Sequence, residues 1–184
     1  MVDQTGIAAI RHLFETQGNN AYFGEDVTQY EHAAQAALLA EQAGCDDDTI
    51  MAALLHDIGH LLPSNDEAEH MEGYGRQHHE DLAAAWLRER GFSEKTAELV
   101  ANHVNAKRYL VYAKPGYYDQ LSETSKRTLE FQGGVMTPLE ADAFENHPLY
   151  EQFLQMRYWD EQAKVVDLEV PELAYFEAIM RRLV

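Results

Sequence analysis

Apolar residues recur at three- and four-residue spacing along most of the chain, a periodicity that predicts helices rather than strands. Residues 6–15 (GIAAIRHLFE) form a short apolar-periodic helix, closed by the Gly18-Asn19-Asn20 turn. Thr28 with Glu31 three positions on has the form of a capping box and predicts a long helix to about Gly44. Within it Ala33, Ala36, Ala37 and Ala40 give one side little bulk, which permits close helix packing. Asp46-Asp47-Asp48 complements the unpaired N–H groups opening another helix, which carries Ile50, Met51, Ala53, Leu54 and Leu55 into His56-Asp57-Ile58-Gly59-His60.

Residues 63–75, polar and holding Pro63, Gly73 and Gly75, read as a loop. A helix follows from about Arg76 to Arg90, stopped by Gly91, and Ser93 caps the next, which runs through His103 toward Tyr109. Lys114-Pro115-Gly116 breaks the chain before a helix of about 119–131. Pro138 and Pro148 flank helical segments leading through Asp160, and Pro171 fits the first turn of a last helix. The only strand-like stretches are short, such as Val165-Val166-Asp167-Leu168. No linker divides the pattern. The expectation is one domain over residues 1–184, an all-α bundle of roughly seven helices.

Composition narrows the function. The chain has 184 residues and a hydrophobic fraction of 46%, enough for a sizeable core. Its formal net charge of −18 repels nucleic-acid phosphates and anionic membranes, so neither is an expected partner. An anionic substrate would need local positive charge. The single Cys45 makes no internal disulfide, no stretch has the length of a membrane span, and residues 1–20 lack the order of a secretory signal. A soluble cytoplasmic protein is expected, with its oligomeric state open and a monomer among the choices.

His56-Asp57 ends an apolar helical run, where an unpaired carboxylate would be costly to bury. Adjacent residues diverge by about 100° around a helix, so both reach one centre only from its edge or end. A carboxylate has two oxygens and can bridge two cations. His32 lies on the preceding helix, His79 and His103 on the two following ones, and Asp160 toward the C-terminus. Imidazole and carboxylate together suit Fe, Mn, Zn and related ions. Lys107 follows His103 by four and Arg157 precedes Asp160 by three, so each shares a helix face with a candidate ligand.

The order His32 … His56-Asp57 … His79 … His103 … Asp160 resembles the HD-domain superfamily. The segments Tyr22-Phe23-Gly24-Glu25, Thr28-Gln29-Tyr30-Glu31-His32 and His103-Val104-Asn105-Ala106-Lys107-Arg108-Tyr109-Leu110 narrow the resemblance to its mixed-valent diiron oxygenases, especially the 2-amino-1-hydroxyethylphosphonate oxygenase group, across roughly residues 20–165. That resemblance implies two Fe ions, Fe(II)/Fe(III), with dioxygen as co-substrate. His32, His56 and Asp160 would hold one iron, His79 and His103 the other, and Asp57 would be shared. It favours His79 over His78 as the ligand. It also implies that His60, Lys107, Ser125 and Arg157 bind the phosphonate of a small organophosphonate, that Tyr22 gates an iron, and that Glu25 meets the substrate's amino end. Asp26 adds a second carboxylate there, and Tyr30 or Phe23 offers a ring to a quaternary ammonium.

The implied reaction is oxygen-dependent cleavage of the carbon–phosphorus bond, giving glycine and phosphate, or glycine betaine from the N-trimethylated substrate. Rival readings are a metal-dependent phosphohydrolase of a nucleotide or phosphomonoester, a helical scaffold with a structural metal, and a myo-inositol-type oxygenase. The last shares the cluster but not the basic residues.

Overall fold

A computed structural model of the chain describes residues 4–63 and 71–183. Ten α-helices run α1 (Gln4–Gln17), α2 (Gln29–Gln42), α3 (Asp47–Leu55), α4 (His79–Glu89), α5 (Glu94–Ala113), α6 (Tyr117–Gln120), α7 (Glu123–Phe131), α8 (Pro138–Glu145), α9 (Tyr150–Gln162) and α10 (Leu173–Met180) among the described residues. A short 3-10 turn, Ile58–Leu61, lies between α3 and α4. Among these residues α1, α2, α3, α4, α5, α7 and α9 have nine residues or more, in keeping with the predicted all-α bundle of roughly seven helices. The described residues hold no strand, only an isolated bridge between Ala21 and Thr28.

Helix starts follow their caps. Thr28 accepts from the Glu31 N–H while the Glu31 side chain accepts from the Thr28 N–H, the full capping box. Asp46, Ser93 and Thr137 cap α3, α5 and α8 in the same one-sided or reciprocal way. The small face of α2 is fully used: Ala33, Ala36, Ala37 and Ala40 are buried, and α2 packs on α3 and α9. The central α5 lies against α3, α4 and α9, so α2, α3, α4, α5 and α9 surround one polar centre.

Three boundaries differ from expectation. α4 begins at His79 rather than Arg76, because His78 sits in the left-handed region (φ 57°) and breaks helical continuity. The expected 119–131 helix is two helices: Leu121 is extended, and Ser122 recaps the chain by accepting from the Ser125 N–H. Pro171 precedes the last helix, whose N-cap is Glu172, instead of entering its first turn. Residues 165–168 form no strand, and Val165, Val166 and Leu168 are exposed. Of the expected 63–75 loop, residues 64–70 lie outside the described residues; 71–75 are turn and coil.

Candidate metal centre

The His-Asp pair stands where a helix gives out. α3 ends at Leu55, His56 is its C-cap, and Asp57 begins the 3-10 turn. The backbone therefore redirects Asp57 away from the line of α3, and both side chains reach one centre from its end. Gly59 makes this turn possible. A Cβ there would lie 2.0 Å from the His79 carbonyl oxygen, so only glycine lets the turn pack against the start of α4.

Asp57 divides its two oxygens between two histidine pairs. Its Oδ2 lies 3.7 Å from His32 Nε2 and 3.5 Å from His56 Nε2. Its Oδ1 lies 3.1 Å from His79 Nε2 and 3.4 Å from His103 Nε2. Within each pair the Nε2 atoms are 3.1 Å apart. Asp160 Oδ1 joins the first pair, 3.5 Å from His32 and 3.8 Å from His56. The structure thus places His32, His56 and Asp57 in one potential cation site, and Asp57, His79 and His103 in a second. His79, not the exposed His78, faces this centre.

The outer nitrogens settle the tautomers. Nδ1 of His32, His56, His79 and His103 lies 2.9, 2.8, 3.1 and 2.7 Å from the carbonyls of Ala163, Ala53, Arg76 and Val100. A carbonyl only accepts, so each Nδ1 carries the hydrogen and each Nε2 turns a lone pair inward. Two lone pairs meeting at 3.1 Å repel unless something positive lies between them. Two ligands each about 2.1 Å from one cation, roughly at right angles, are about 3 Å apart. The donor set fits two metal ions.

His60 is the opposite case. Its Nδ1 accepts from the Arg76 backbone N–H at 2.9 Å, so neutral His60 carries its hydrogen on Nε2, 3.9 Å from Asp57 Oδ1. It stacks on His79 with ring centroids 3.8 Å apart. Gly75 (φ +94°) makes room: a Cβ would meet the His60 ring at 2.6 Å. His60 is thus a hydrogen-bond donor beside the cluster rather than a fifth inward lone pair.

Titration follows these surroundings. Burial, with His56 nearby, lowers His32 to about 4, so its lone pair is available at neutral pH. Burial resists ionisation of Asp57, but His56 and the His103 and His79 imidazoles that face its carboxylate hold it well below the ordinary carboxylate range. Asp160 is likewise lowered against its burial, chiefly by Arg157. His79 rises despite burial because it bonds Asp57. A cation entering would displace that proton.

A cavity opens beside the cluster, lined by Tyr22, Asp57, His60, Lys107, Ser125 and Arg157 among others. Lys107 and Arg157 are only 3% and 4% exposed, far too buried for ordinary surface cations. Lys107 Nζ donates to Thr128 Oγ1 at 2.9 Å and to the Ser125 carbonyl at 3.4 Å. Burial and the Arg157 charge lower it to about 7. Arg157 binds Asp160 through Nη1, reaches Ser125 Oγ at 3.4 Å through Nη2, and donates through Nε to Tyr117 and Glu161. The Tyr22 ring stacks on His32 with centroids 3.9 Å apart, and its hydroxyl donates to Asp57 Oδ2 at 2.7 Å.

Three residues expected near the substrate's amino end, Glu25, Tyr30 and Asp26, do not line the cavity. Glu25 pairs with Lys164 at 2.6 Å, and Lys164 rather than Glu25 lines the cavity. Tyr30 stays away from it, packing on Phe14 and donating to the Pro171 carbonyl, whereas Phe23 lines it with Tyr74 and Met71. Asp26 is exposed and does not line the cavity. Sequence reading missed Thr128, Tyr117, Glu161 and Lys164. Spacing carried a signal for two of them: Glu161 follows Arg157 by four, and Thr128 follows Ser125 by three.

Known proteins resemble this chain over most of its length. The HD domain pattern matches residues 29–138. The uncharacterised protein L432 of Acanthamoeba polyphaga mimivirus is 41% identical over 174 residues, 95% of this chain and 80% of that protein. A [1-hydroxy-2-(trimethylamino)ethyl]phosphonate dioxygenase (glycine-betaine-forming) of Leisingera caerulea is 40% identical over 172 residues, covering 94% and 87% of the two chains. A hydroxymethylphosphonate dioxygenase of Gimesia maris is 40% identical over 168 residues, covering 91% and 82%.

Proposed function

From the premise that the chain belongs to the HD domain family and is related to phosphonate-cleaving dioxygenases, we propose that it is a diiron oxygenase that cleaves the carbon–phosphorus bond of a small 1-hydroxyphosphonate. The observation that carries the reading is the split of Asp57 between two histidine pairs, directly beside a cavity lined by two buried cations. In this reading His32, His56 and Asp160 would hold one iron and His79 and His103 the other, with Asp57 contributing to both sites. Bound there, the ions would supply a site for substrate oxygen and the electrons that reduce dioxygen. The balance is one dioxygen consumed per phosphonate: the C1–H, C–P and O–O bonds break, one oxygen atom goes to carbon and the other to phosphorus, and the C1 hydrogen leaves as a proton, yielding a carboxylic acid and phosphate.

The chain's own residues do the rest. Arg157, Lys107 and Ser125 take the phosphonate oxygens. The His60 Nε2–H donates to substrate from the opposite wall, and the Nδ1 hydrogen bonds keep every ligand lone pair turned inward. Tyr22 covers the centre while its hydroxyl rests on Asp57, and it withdraws as substrate enters. Burial and the Arg157 charge lower Lys107 to about 7, and an arriving anion favours its protonated form.

Of the two amine-bearing substrates, the N-trimethylated one has the better support. It is the substrate in the name of the Leisingera relative. Glu25 is already bound to Lys164 rather than free for a primary ammonium, while Phe23 and Tyr74 offer apolar ring surface. Hydroxymethylphosphonate, which lacks that tail, is the third candidate.

The test is anaerobic iron loading followed by addition of oxygen with each of the three hydroxyphosphonates. The expected result is phosphate released in step with oxygen consumed, fastest with the trimethylated substrate. Phosphate release from a nucleotide or phosphomonoester without oxygen would instead establish a hydrolase.

A further inference from the structure

We infer that Glu80 is a positioning residue for the second cation site, acting through His79. The inference rests on the two-metal reading above but not on the identity of the substrate. Three of the four inward-facing histidines have, among the described residues, a backbone carbonyl as the only partner of Nδ1, at 2.7 to 2.9 Å. His79 differs. Its Nδ1 has the longest such bond, 3.1 Å to Arg76, and also lies 3.3 Å from Glu80 Oε2. That oxygen is buried and makes no hydrogen bond among the described residues, although Glu80 is only 9% exposed.

A buried carboxylate oxygen without a hydrogen-bond partner is costly, and His79 Nδ1 stands 3.3 Å from it. Glu80 stands in the first turn of α4, where a negative charge also complements the helix N-terminus. That role needs no burial and no approach to an imidazole, so it leaves the placement of Oε2 unexplained. His78 and Asp81 bring further polar atoms near Glu80, but both are exposed and lie on the outer side of the helix start.

The consequence is an asymmetric centre. A carboxylate 3.3 Å behind an imidazole acts on it through its charge and makes Nε2 a stronger donor to a cation. An ion at the second site would be held by His79, His103 and one oxygen of Asp57, with the Glu80 charge acting behind His79. The first site has Asp160 as a direct carboxylate; the second has Glu80 as an indirect one. Each histidine pair thereby gains a negative charge beyond the shared Asp57.

The test is E80Q, which keeps shape and removes charge, compared with wild type, E80D and D81N in titrations of the apo protein with Zn(II). Zinc-loaded protein also permits observation of the imidazole N–H protons by NMR. Wild type should bind two ions. E80Q should still bind two, with the weaker site loosened roughly tenfold to a hundredfold, and one of the four ligand N–H resonances should move while three stay. E80D should fall between, D81N should match wild type, and melting curves show whether each variant is folded. Equal affinities and four unmoved resonances in E80Q would overturn the inference while leaving the two-metal reading intact. A wild type that binds fewer than two ions would overturn both. If E80Q does not fold, E80D carries the test alone: unchanged binding and spectra there also count against Glu80.

Discussion

The two halves of the centre are built unequally. The His32–His56 half is closed: Asp160 flanks it, Arg157 neutralises Asp160, and the Tyr22 ring lies over His32. Among the described residues the His79–His103 half has only the shared Asp57 as a direct carboxylate, and it stands beside His60 and Lys107 at the cavity. A closed donor set fixes an ion, whereas a set of three leaves positions for other oxygen atoms. The comparison teaches that one carboxylate between unequal neighbours can bind two ions with separate duties.

Breaking the element common to both halves should do most. D57A should abolish binding of both ions and lower activity by at least about a thousandfold, checked by metal analysis and phosphate release. Full metal occupancy in that variant would refute the shared role. The next pair of variants separates the halves. D160N should lose or weaken the first ion and H103A the second, each bringing stoichiometry from two toward one; identical losses in both would show that the sites do not act separately.

Smaller effects sharpen the role of the cavity wall. K107M should raise the KM for phosphonate by roughly tenfold to a hundredfold, the worth of a charge-assisted hydrogen bond, with less change in kcat. The sign of the pH effect follows from the lowered Lys107, about 7 in the folded protein against about 10.4 in an unfolded chain. Its buried charge is an unfavourable contribution to folding, fully present below about 7 and relieved as pH rises through that window. Anion binding runs the other way: KM should climb by up to about tenfold per pH unit above 7, as the ammonium is lost. K107R should flatten that rise. Y22F should do least, costing about 0.5–1.5 kcal/mol for its bond to Asp57, read from thermal unfolding of the apo protein.

Helix positions were legible where caps and apolar spacing agree, as at Thr28, Asp46 and Ser93. They were misjudged where tertiary packing overrides local pattern. Nothing local foretells the left-handed His78 that delays α4, although Ser122 ahead of Ser125 is a cap signal that was overlooked. The inward histidines were nameable because of their types and order, but their pairing depends on Nδ1 bonds to carbonyls, which no side-chain pattern encodes. Lys164 escaped notice for the same reason: its partner Glu25 lies far away in sequence, and the ion pair exists only once α9 meets the loop before α2.

The account turns on Asp57 standing between two cations. Anomalous diffraction from iron-loaded crystals tests this directly. Two peaks should flank its carboxylate, roughly 3.5–4 Å apart, one beside His32, His56 and Asp160 and the other beside His79 and His103. A single peak, or two peaks of which only one touches Asp57, would contradict it.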